Sequence, residues 1–159
     1  MKSALIAVAF AAVAATATAA DDHKGQPSWL FVQTASSFTS NGDTNSIPYE
    51  REIFAFTERP YRLHAYINAH ELEELWASAD ADDSFLASPP NAILPWAADG
   101  EMREAEIVLG MARVNDLGQS ITYDVDDHIG DELPAQAGQN SLFIDGYESA
   151  FFCVTGGAC

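Results

Sequence analysis

The chain is 159 residues long and carries 24 acidic against 7 basic side chains, which gives a formal net charge of −17 at neutral pH. Because this charge repels phosphates, it argues against nucleic acid or an anionic membrane surface as the partner. It is compatible with divalent cations, with basic partners, or with an acidic surface that only keeps the protein in solution.

Residues 1–20 have the layout of a secretory signal peptide. A positive residue precedes an apolar run from Ala4 to Ala15, and small residues follow, so we expect cleavage after Ala19 or Ala20. The apolar run is too short and too rich in alanine to favour a membrane span. The sequence therefore predicts a single exported β-rich domain over residues 21–159, periplasmic or secreted, with no transmembrane segment in the mature chain.

Two β-hairpins are predicted in the first half of the mature chain. Trp29–Thr34 is an aromatic and β-branched run typical of a strand, and Asn41-Gly42 then joins two short strands. Asn-Gly tolerates the positive φ angles of a type I′ turn, which makes this the strongest hairpin signal in the sequence. The second hairpin pairs Glu52–Thr57 with Tyr61–Ile67, whose alternating apolar side chains indicate a half-buried strand.

One helix is predicted after the second hairpin. Asn68 is a good N-cap, and Glu71 three residues later completes a capping box. Leu72, Leu75 and Trp76 form an apolar stripe at helical spacing. We therefore expect these three side chains to be buried against the sheet.

The rest of the chain predicts further strands separated by turns and an acidic loop. The strand candidates are Asn91–Trp96, Glu104–Val114, Gln119–Val125, Ser141–Ile144 and Ala150–Thr155. The loop covers residues 126–139, and a turn is expected at Asp145-Gly146. About eight or nine short strands with one helix favour a mainly β, α+β fold, an antiparallel β-sandwich or barrel with the helix packed on it.

Motifs of the common catalytic classes are absent from the sequence. It contains no GxSxG elbow, no HExxH zinc helix, no GxxxxGKS or GxxxxGKT phosphate loop and no GxGxxG after a strand. The histidines lack metal-ligand spacing and are better explained as surface or structural residues. Trp29 and Trp76 predict core packing, whereas Trp96 at a strand end is the one we expect to be exposed. No catalytic or cofactor-binding residue is assigned.

Asp80, Asp82 and Asp83 are the candidate metal ligands, and calcium is the ion that their oxygens suit. An EF-hand counted from Asp80 needs Gly at its sixth position and Glu at its twelfth. Those positions hold Phe85 and Asn91. A nonstandard calcium site and a plain acidic loop are the two interpretations that remain.

Cys153 and Cys159 are the two cysteines of the chain, both close to the C-terminus. In an exported protein such a pair predicts a disulfide, and Gly156-Gly157 lets the intervening segment turn back. The spacing is not that of a CxxC motif, which disfavours a thioredoxin-like redox pair. Because the closed loop is small, its stabilisation would be local and modest.

Several distinctive segments are spread between Trp29 and Asp145. They are Trp29–Ala35, Glu58–Arg62, the helix with Trp76, Asp83–Phe85, Pro89–Ala92, Ile121–Val125 and Ser141–Asp145. In this combination the chain resembles an uncharacterised family of small secreted bacterial proteins with no assigned activity. It departs from the family pattern at Ser88, where an Asp often precedes Pro-Pro, and in its cysteine-bearing tail. The resemblance implies export and a shared fold, and it implies no substrate.

Three functions are compatible with these observations. The leader, the β-rich pattern and the missing catalytic motifs favour an exported, non-enzymatic binding or accessory protein of the cell envelope, whose partner is another envelope protein or a small ligand. The first alternative is a small secreted hydrolase, which a cleft with two carboxylates of strongly perturbed pKa would support. The second alternative is a calcium-dependent adhesion or matrix protein.

Overall fold

The computed structural model describes residues 27–77 and 84–148. Four sequence predictions lie outside these residues: the signal peptide, the calcium ligands Asp80, Asp82 and Asp83, the Cys153–Cys159 disulfide, and the strand Ala150–Thr155. Within the two described ranges, no helix combines the length and the apolar character needed to cross a membrane.

The described residues form ten strands and one short helix. In chain order they are β1 (Ser28–Ala35), β2 (Phe38–Ser40), β3 (Thr44–Pro48), β4 (Ile53–Thr57), β5 (His64–Ile67), α1 (Ala69–Ala77), β6 (Asn91–Ala98), β7 (Glu101–Val114), β8 (Ser120–Gly130), β9 (Gln136–Ala137) and β10 (Asn140–Glu148). The strands make one sheet in the order β5-β4-β1-β10-β6-β7-β8-β3-β2-β9, and the pairs are antiparallel. The predicted mainly β, α+β class is confirmed.

The sheet closes on itself because β1 and β2 are two segments of one bent strand. Ala35 faces Asn140 and Phe38 faces Ala137, so the β1–β10 and β2–β9 ladders share one register across the bend. On its other side β2 pairs with β3, whereas β1 pairs with β4. The strands from β2 through β3, β8, β7 and β6 to β10 therefore surround the core, and the β4–β5 hairpin branches off at β1.

All three tryptophans lie in this core. Trp96 is 2 % exposed and packs edge-on against Phe38, with ring centroids 5.8 Å apart. The prediction that Trp96 is exposed is wrong, because β6 continues to Ala98 and Trp96 shares the inward phase with Ala92 and Leu94. β6 thus extends two residues beyond its predicted end, and this extension places Trp96 inside the strand and in the core.

The helix α1 forms as predicted and is held at both ends. The N–H of Asn68 donates to Glu71 Oε2 (2.8 Å), and the N–H of Glu71 donates to Asn68 Oδ1 (3.0 Å). The predicted apolar stripe is buried. Near the other end, the indole N–H of Trp76 donates to the carbonyl of Gly110 in β7. The register of β7 against β8 shifts between Leu109 and Ala112, around that glycine.

The hairpin at Asn41-Gly42 forms, although its turn is not of type I′. The N–H of Asn41 donates to the carbonyl of Thr44 (3.2 Å), so Gly42 and Asp43 are the central residues; Gly42 has φ of +94°, but Asp43 does not take the positive φ that a type I′ turn requires at both. Instead, Asn41 Oδ1 accepts hydrogen bonds from the N–H groups of Asp43 (3.0 Å) and Thr44 (2.8 Å). The asparagine side chain thus replaces the backbone carbonyl as the acceptor for the N–H of Thr44 in a two-residue turn.

Two other connections differ from the prediction. β10 runs straight through Asp145-Gly146, where we expected a turn, since Gly146 with φ of +77° lies at an irregularity opposite Trp29 and Phe31. The acidic loop is also shorter than expected, because β8 continues to Gly130 along β7. Acidic side chains are tolerated there because they point to solvent on the outer face.

Candidate binding surface

A line of apolar side chains crosses the outside of five neighbouring strands, from β5 to β6. Tyr66 faces Phe54, Phe54 faces Val32, Val32 faces Phe143, and Phe143 faces Ile93. Residues that are directly opposite in neighbouring strands project to the same face of a sheet. These five side chains are therefore in one line, which we call the outer row.

The outer row faces away from the core because the adjacent residues in each strand fill the interior. Ile53 and Ala55 flank Phe54 and are fully buried, and Leu142 and Ile144 flank Phe143 in the same way. Within the row, 63 % of Tyr66, 49 % of Ile93 and 45 % of Phe143 is exposed. Val32 and Phe54, which lie between them in the row, are partly exposed, so the row is a continuous apolar line on the solvent side of the sheet and a candidate interaction surface.

Aromatic contacts order one half of the outer row. The ring of Phe54 stacks on Phe56 (5.6 Å between centroids) and contacts Tyr66 (5.3 Å) and His64 (6.2 Å). Leu30 lies opposite Phe56 and widens the apolar surface towards β1. These contacts make the aromatic half of the row a continuous set of packed rings.

Acidic residues of β7 and β10 border the outer row at the end that lies on β6. Glu106 of β7 lies directly opposite Ile93, and Asp145 is exposed two residues after Phe143. Neither carboxylate has a basic partner among the ion pairs of the described residues. This end of the surface therefore presents an apolar line that ends at negative charge.

The other end of the outer row is the open edge of the sheet. β9 and β5 are the two ends of the sheet order. β9 continues the line of β10, and the N–H of Ala97 in β6 donates to the carbonyl of Gln139, which lies between β9 and β10 (3.1 Å). β5, in contrast, pairs with β4 and with no second strand among the described residues. The aromatic half of the row thus ends at an unpaired strand.

A separate cleft of about 300 Å³ lies at the bend between β1 and β2. Its lining is polar, with Thr34, Ala35, Ser36, Glu50, Arg51, Gln139, Asn140 and Ser141. Glu50 accepts hydrogen bonds from the Oγ and from the N–H of Ser36, and these two bonds lower the pKa of its carboxyl. Glu50 is the cleft's one carboxylate and is held ionised, so the cleft does not provide the carboxylate pair of a glycosidase.

The residues singled out from the sequence do not converge on a site. His64 borders the outer row, whereas His70 is on α1 and His128 is on β8. In residues 27–77 and 84–148, no three His, Cys, Asp or Glu side chains are grouped so that they could hold a metal ion. The sequence did contain a signal for the outer row, since β4 (IFAFT) has apolar residues in both phases, as expected of a strand in contact on both faces.

Comparisons of the chain with protein-family models, with curated proteins and with solved structures find no significant match.

Proposed function

We propose that this protein is an exported, non-enzymatic binding protein of the cell envelope that docks a partner protein through the outer row. The observation that carries the proposal is the line Tyr66–Phe54–Val32–Phe143–Ile93, which is continuous in register and points to solvent. An apolar, aromatic centre with a charged rim is the composition of protein interfaces. The predicted signal peptide and the family resemblance support export.

The charge of the chain indicates what the partner surface carries. With a net charge of −17 and with Glu106 and Asp145 beside the row, the partner needs an apolar centre and a basic rim. A basic rim accelerates the encounter and keeps out acidic competitors, while contact with the apolar line supplies most of the affinity.

The hydrolase alternative gains no support from the Glu50 cleft, because a general acid needs a carboxyl whose pKa is raised and that of Glu50 is lowered. The calcium alternative stays a prediction for Asp80, Asp82 and Asp83. Melting curves with calcium and with chelator test it, since a bound ion stabilises only the folded state.

Site-specific photo-crosslinking in the producing cells tests the docking surface. A photoreactive residue replaces Tyr66 or Ile93 in the row, and Leu117 in the β7–β8 turn is the control, because it is 75 % exposed but remote from the row in the sheet. We expect both row positions to capture the same protein and the control to miss it. Phe143→Asp should abolish that capture.

Identical products from all three positions, or capture that persists in Phe143→Asp, would overturn the proposal. The periplasmic and medium fractions of the same cells test the export that the proposal includes, and retention of the precursor in the cytoplasm would contradict it.

A further inference from the structure

The open edge of β5 offers backbone hydrogen-bonding groups next to the outer row. The N–H of Thr57 donates to the carbonyl of Leu63 (3.0 Å), and the N–H of Leu63 donates to Thr57 Oγ1 (2.9 Å), so both backbone groups of Leu63 point towards β4. The direction of these groups alternates along an antiparallel ladder, so Ala65 and Ile67 also bond towards β4. The N–H and C=O groups of His64 and Tyr66 therefore point to the open edge.

Natural sheets usually block such an edge. Lysine, proline, a bulge or an inward-pointing charge are the common devices, because an unpaired edge accepts strands from other chains. A very short edge strand is a further device of this kind, and β5 has only four residues; otherwise its sequence His-Ala-Tyr-Ile and its regular register with β4 show none of these devices. Its exposed side chains, His64 and Tyr66, are part of the aromatic surface itself.

We infer that an extended peptide segment of the partner adds to β5 as a further antiparallel strand and extends the outer row by one position. This inference rests on the proposed function, since it specifies how the partner uses the same surface. A residue opposite Tyr66 in the added strand projects to the outer face, where an apolar side chain covers the tyrosine ring. The antiparallel direction is the one found throughout the sheet and is the more stable pairing per residue.

Charges at the two ends of β5 set the direction of the added strand. Arg59 and Arg62 are exposed just before β5. Beyond its other end are Glu52, which precedes Ile53 opposite Ile67, and Glu71 in the first turn of α1; both also raise the pKa of Tyr49, after the larger effect of burial. An antiparallel segment therefore has a basic residue near its N-terminus and an acidic residue near its C-terminus, with apolar residues alternating between them.

A second copy of the chain is a weaker occupant than such a segment. Pairing of two β5 edges would bring together two molecules that each carry a net charge of −17. A partner segment with a basic end avoids this repulsion.

The probe for the inference is the synthetic peptide Lys-Val-Thr-Val-Thr-Val-Glu, titrated into the isotope-labelled full mature protein and followed by amide chemical shifts. We expect shifts at β5 and along the outer row. The reversed sequence Glu-Val-Thr-Val-Thr-Val-Lys has the same composition and should bind about tenfold more weakly, because its charges face like charges.

Methylation of backbone nitrogens in the peptide distinguishes binding by strand addition from binding by apolar contact alone. Methyl groups on the valine nitrogens remove the donors that face His64 and Tyr66, and we expect binding to weaken about tenfold or more. Methyl groups on the threonine nitrogens, which point away from β5, should leave binding within about twofold. Equal binding of the two methylated peptides would overturn the inference.

His64→Pro provides the matching change in the protein. Proline is tolerated at the first position of an edge strand, and it removes one edge donor while Tyr66 and Phe54 stay in place. We expect His64→Pro to weaken peptide binding more than His64→Ala, because both variants lose the imidazole ring but only proline also removes the edge donor. Amide exchange of Tyr66 in the free protein must be fast, since protection there would show that the edge is already occupied, by a second copy or by another part of the chain.

The two proposals fail in distinguishable ways. Strand addition is wrong and the docking surface stands if the peptide does not bind, while the photoreactive residue at Tyr66 still captures the partner and Phe143→Asp abolishes that capture. If the row positions capture nothing specific, the docking surface is wrong and strand addition falls with it. A dimer of the free protein that His64→Pro dissociates would replace the partner segment with a second copy and overturn the inference.

Discussion

Asn45 is the residue whose burial is hardest to explain. It is fully buried in β3, and neither its Oδ1 nor its Nδ2 has a hydrogen-bond partner among the described residues. Leaving a buried polar group without a partner costs about 1–3 kcal/mol. We therefore expect Asn45→Leu, which has a similar shape, to raise the free energy of unfolding by about this amount in urea titrations.

Gln33→Leu is the control for Asn45→Leu and should have the opposite sign. The Tyr123 hydroxyl donates to Gln33 Oε1 at 2.6 Å in the core, so removing the amide leaves that hydroxyl without its acceptor. Burial also raises the pKa of Tyr123, which keeps the hydroxyl protonated as a donor. Two variants that change stability in the same direction would contradict the assignment of one satisfied and one unsatisfied amide.

Single-residue burial could be predicted from the sequence where the strand register is regular. Trp29 and Trp76 are buried as expected. In β7, regular alternation from the buried Leu109 would place Met111 inward, but Met111 is only partly buried and Ala112 takes the inward place. The cause is the register shift beside Gly110, which adds a residue and reverses the alternation. A Cβ at Gly110 would lie 2.8 Å from Asp126 Oδ1, a close approach between distant parts of the chain that alternation alone does not reveal.

The helix depends on Trp76 more than on any propensity of its own, because nine residues are too few for an isolated helix in water. Trp76 packs against Phe85 (4.6 Å between centroids) and Tyr123 (6.0 Å) and binds the Gly110 carbonyl. We expect Trp76→Ala to cost about 3–5 kcal/mol in urea unfolding.

Glu74→Ala on the exposed face of the same helix is the control and should cost little, since alanine favours helix. If the two variants lost similar stability, helix propensity and not the anchoring of Trp76 would be the determinant.

The β7–β8 pair contains the ion pair with the clearest pH dependence. Arg113 Nη1 and Nη2 donate to the two carboxylate oxygens of Asp124 at 2.7 and 2.6 Å, and these bonds lower the pKa of Asp124. A carboxyl whose folded pKa is depressed contributes stability above its unfolded pKa, and the contribution is lost as pH falls through the folded pKa.

We therefore expect Asp124→Asn to be slightly less stable than the wild type at about pH 7, with a difference that shrinks as pH drops below about 4. The effect is small because Arg113 is more than half exposed, with 56 % of its side chain accessible. Urea titrations at several pH values measure it. A difference that stays constant down to about pH 2 would mean that the carboxylate charge is not involved.

At the scale of the whole molecule, the fold class could be predicted from the sequence, whereas the outer row could not, beyond the signal in β4. Alternating residues identify strands one at a time, whereas the outer row exists only because β1 pairs with β10 and β10 with β6. Val32 and Phe143 are neighbours through pairing between opposite ends of the chain, which no local pattern specifies. The closure of the sheet at the β1–β2 bend could not be predicted for the same reason, because the sequence predicts β1 and β2 as two separate strands.

The net charge of −17 should make the stability and the binding of this protein respond to salt in opposite directions. Within the folded chain, acidic groups mostly repel one another, and salt screens that repulsion over about 10 Å at 0.1 M. We expect the melting temperature to rise by several degrees between about 10 and about 500 mM NaCl, and KCl to act alike because screening is not specific to the ion. Binding of the peptide Lys-Val-Thr-Val-Thr-Val-Glu to β5 should weaken over the same range, because the attraction between its two charged ends and the opposite charges at the ends of β5 is screened as well. A melting temperature that falls with salt would show that attractive pairs such as Arg113–Asp124, and not repulsion, dominate the electrostatics of the fold.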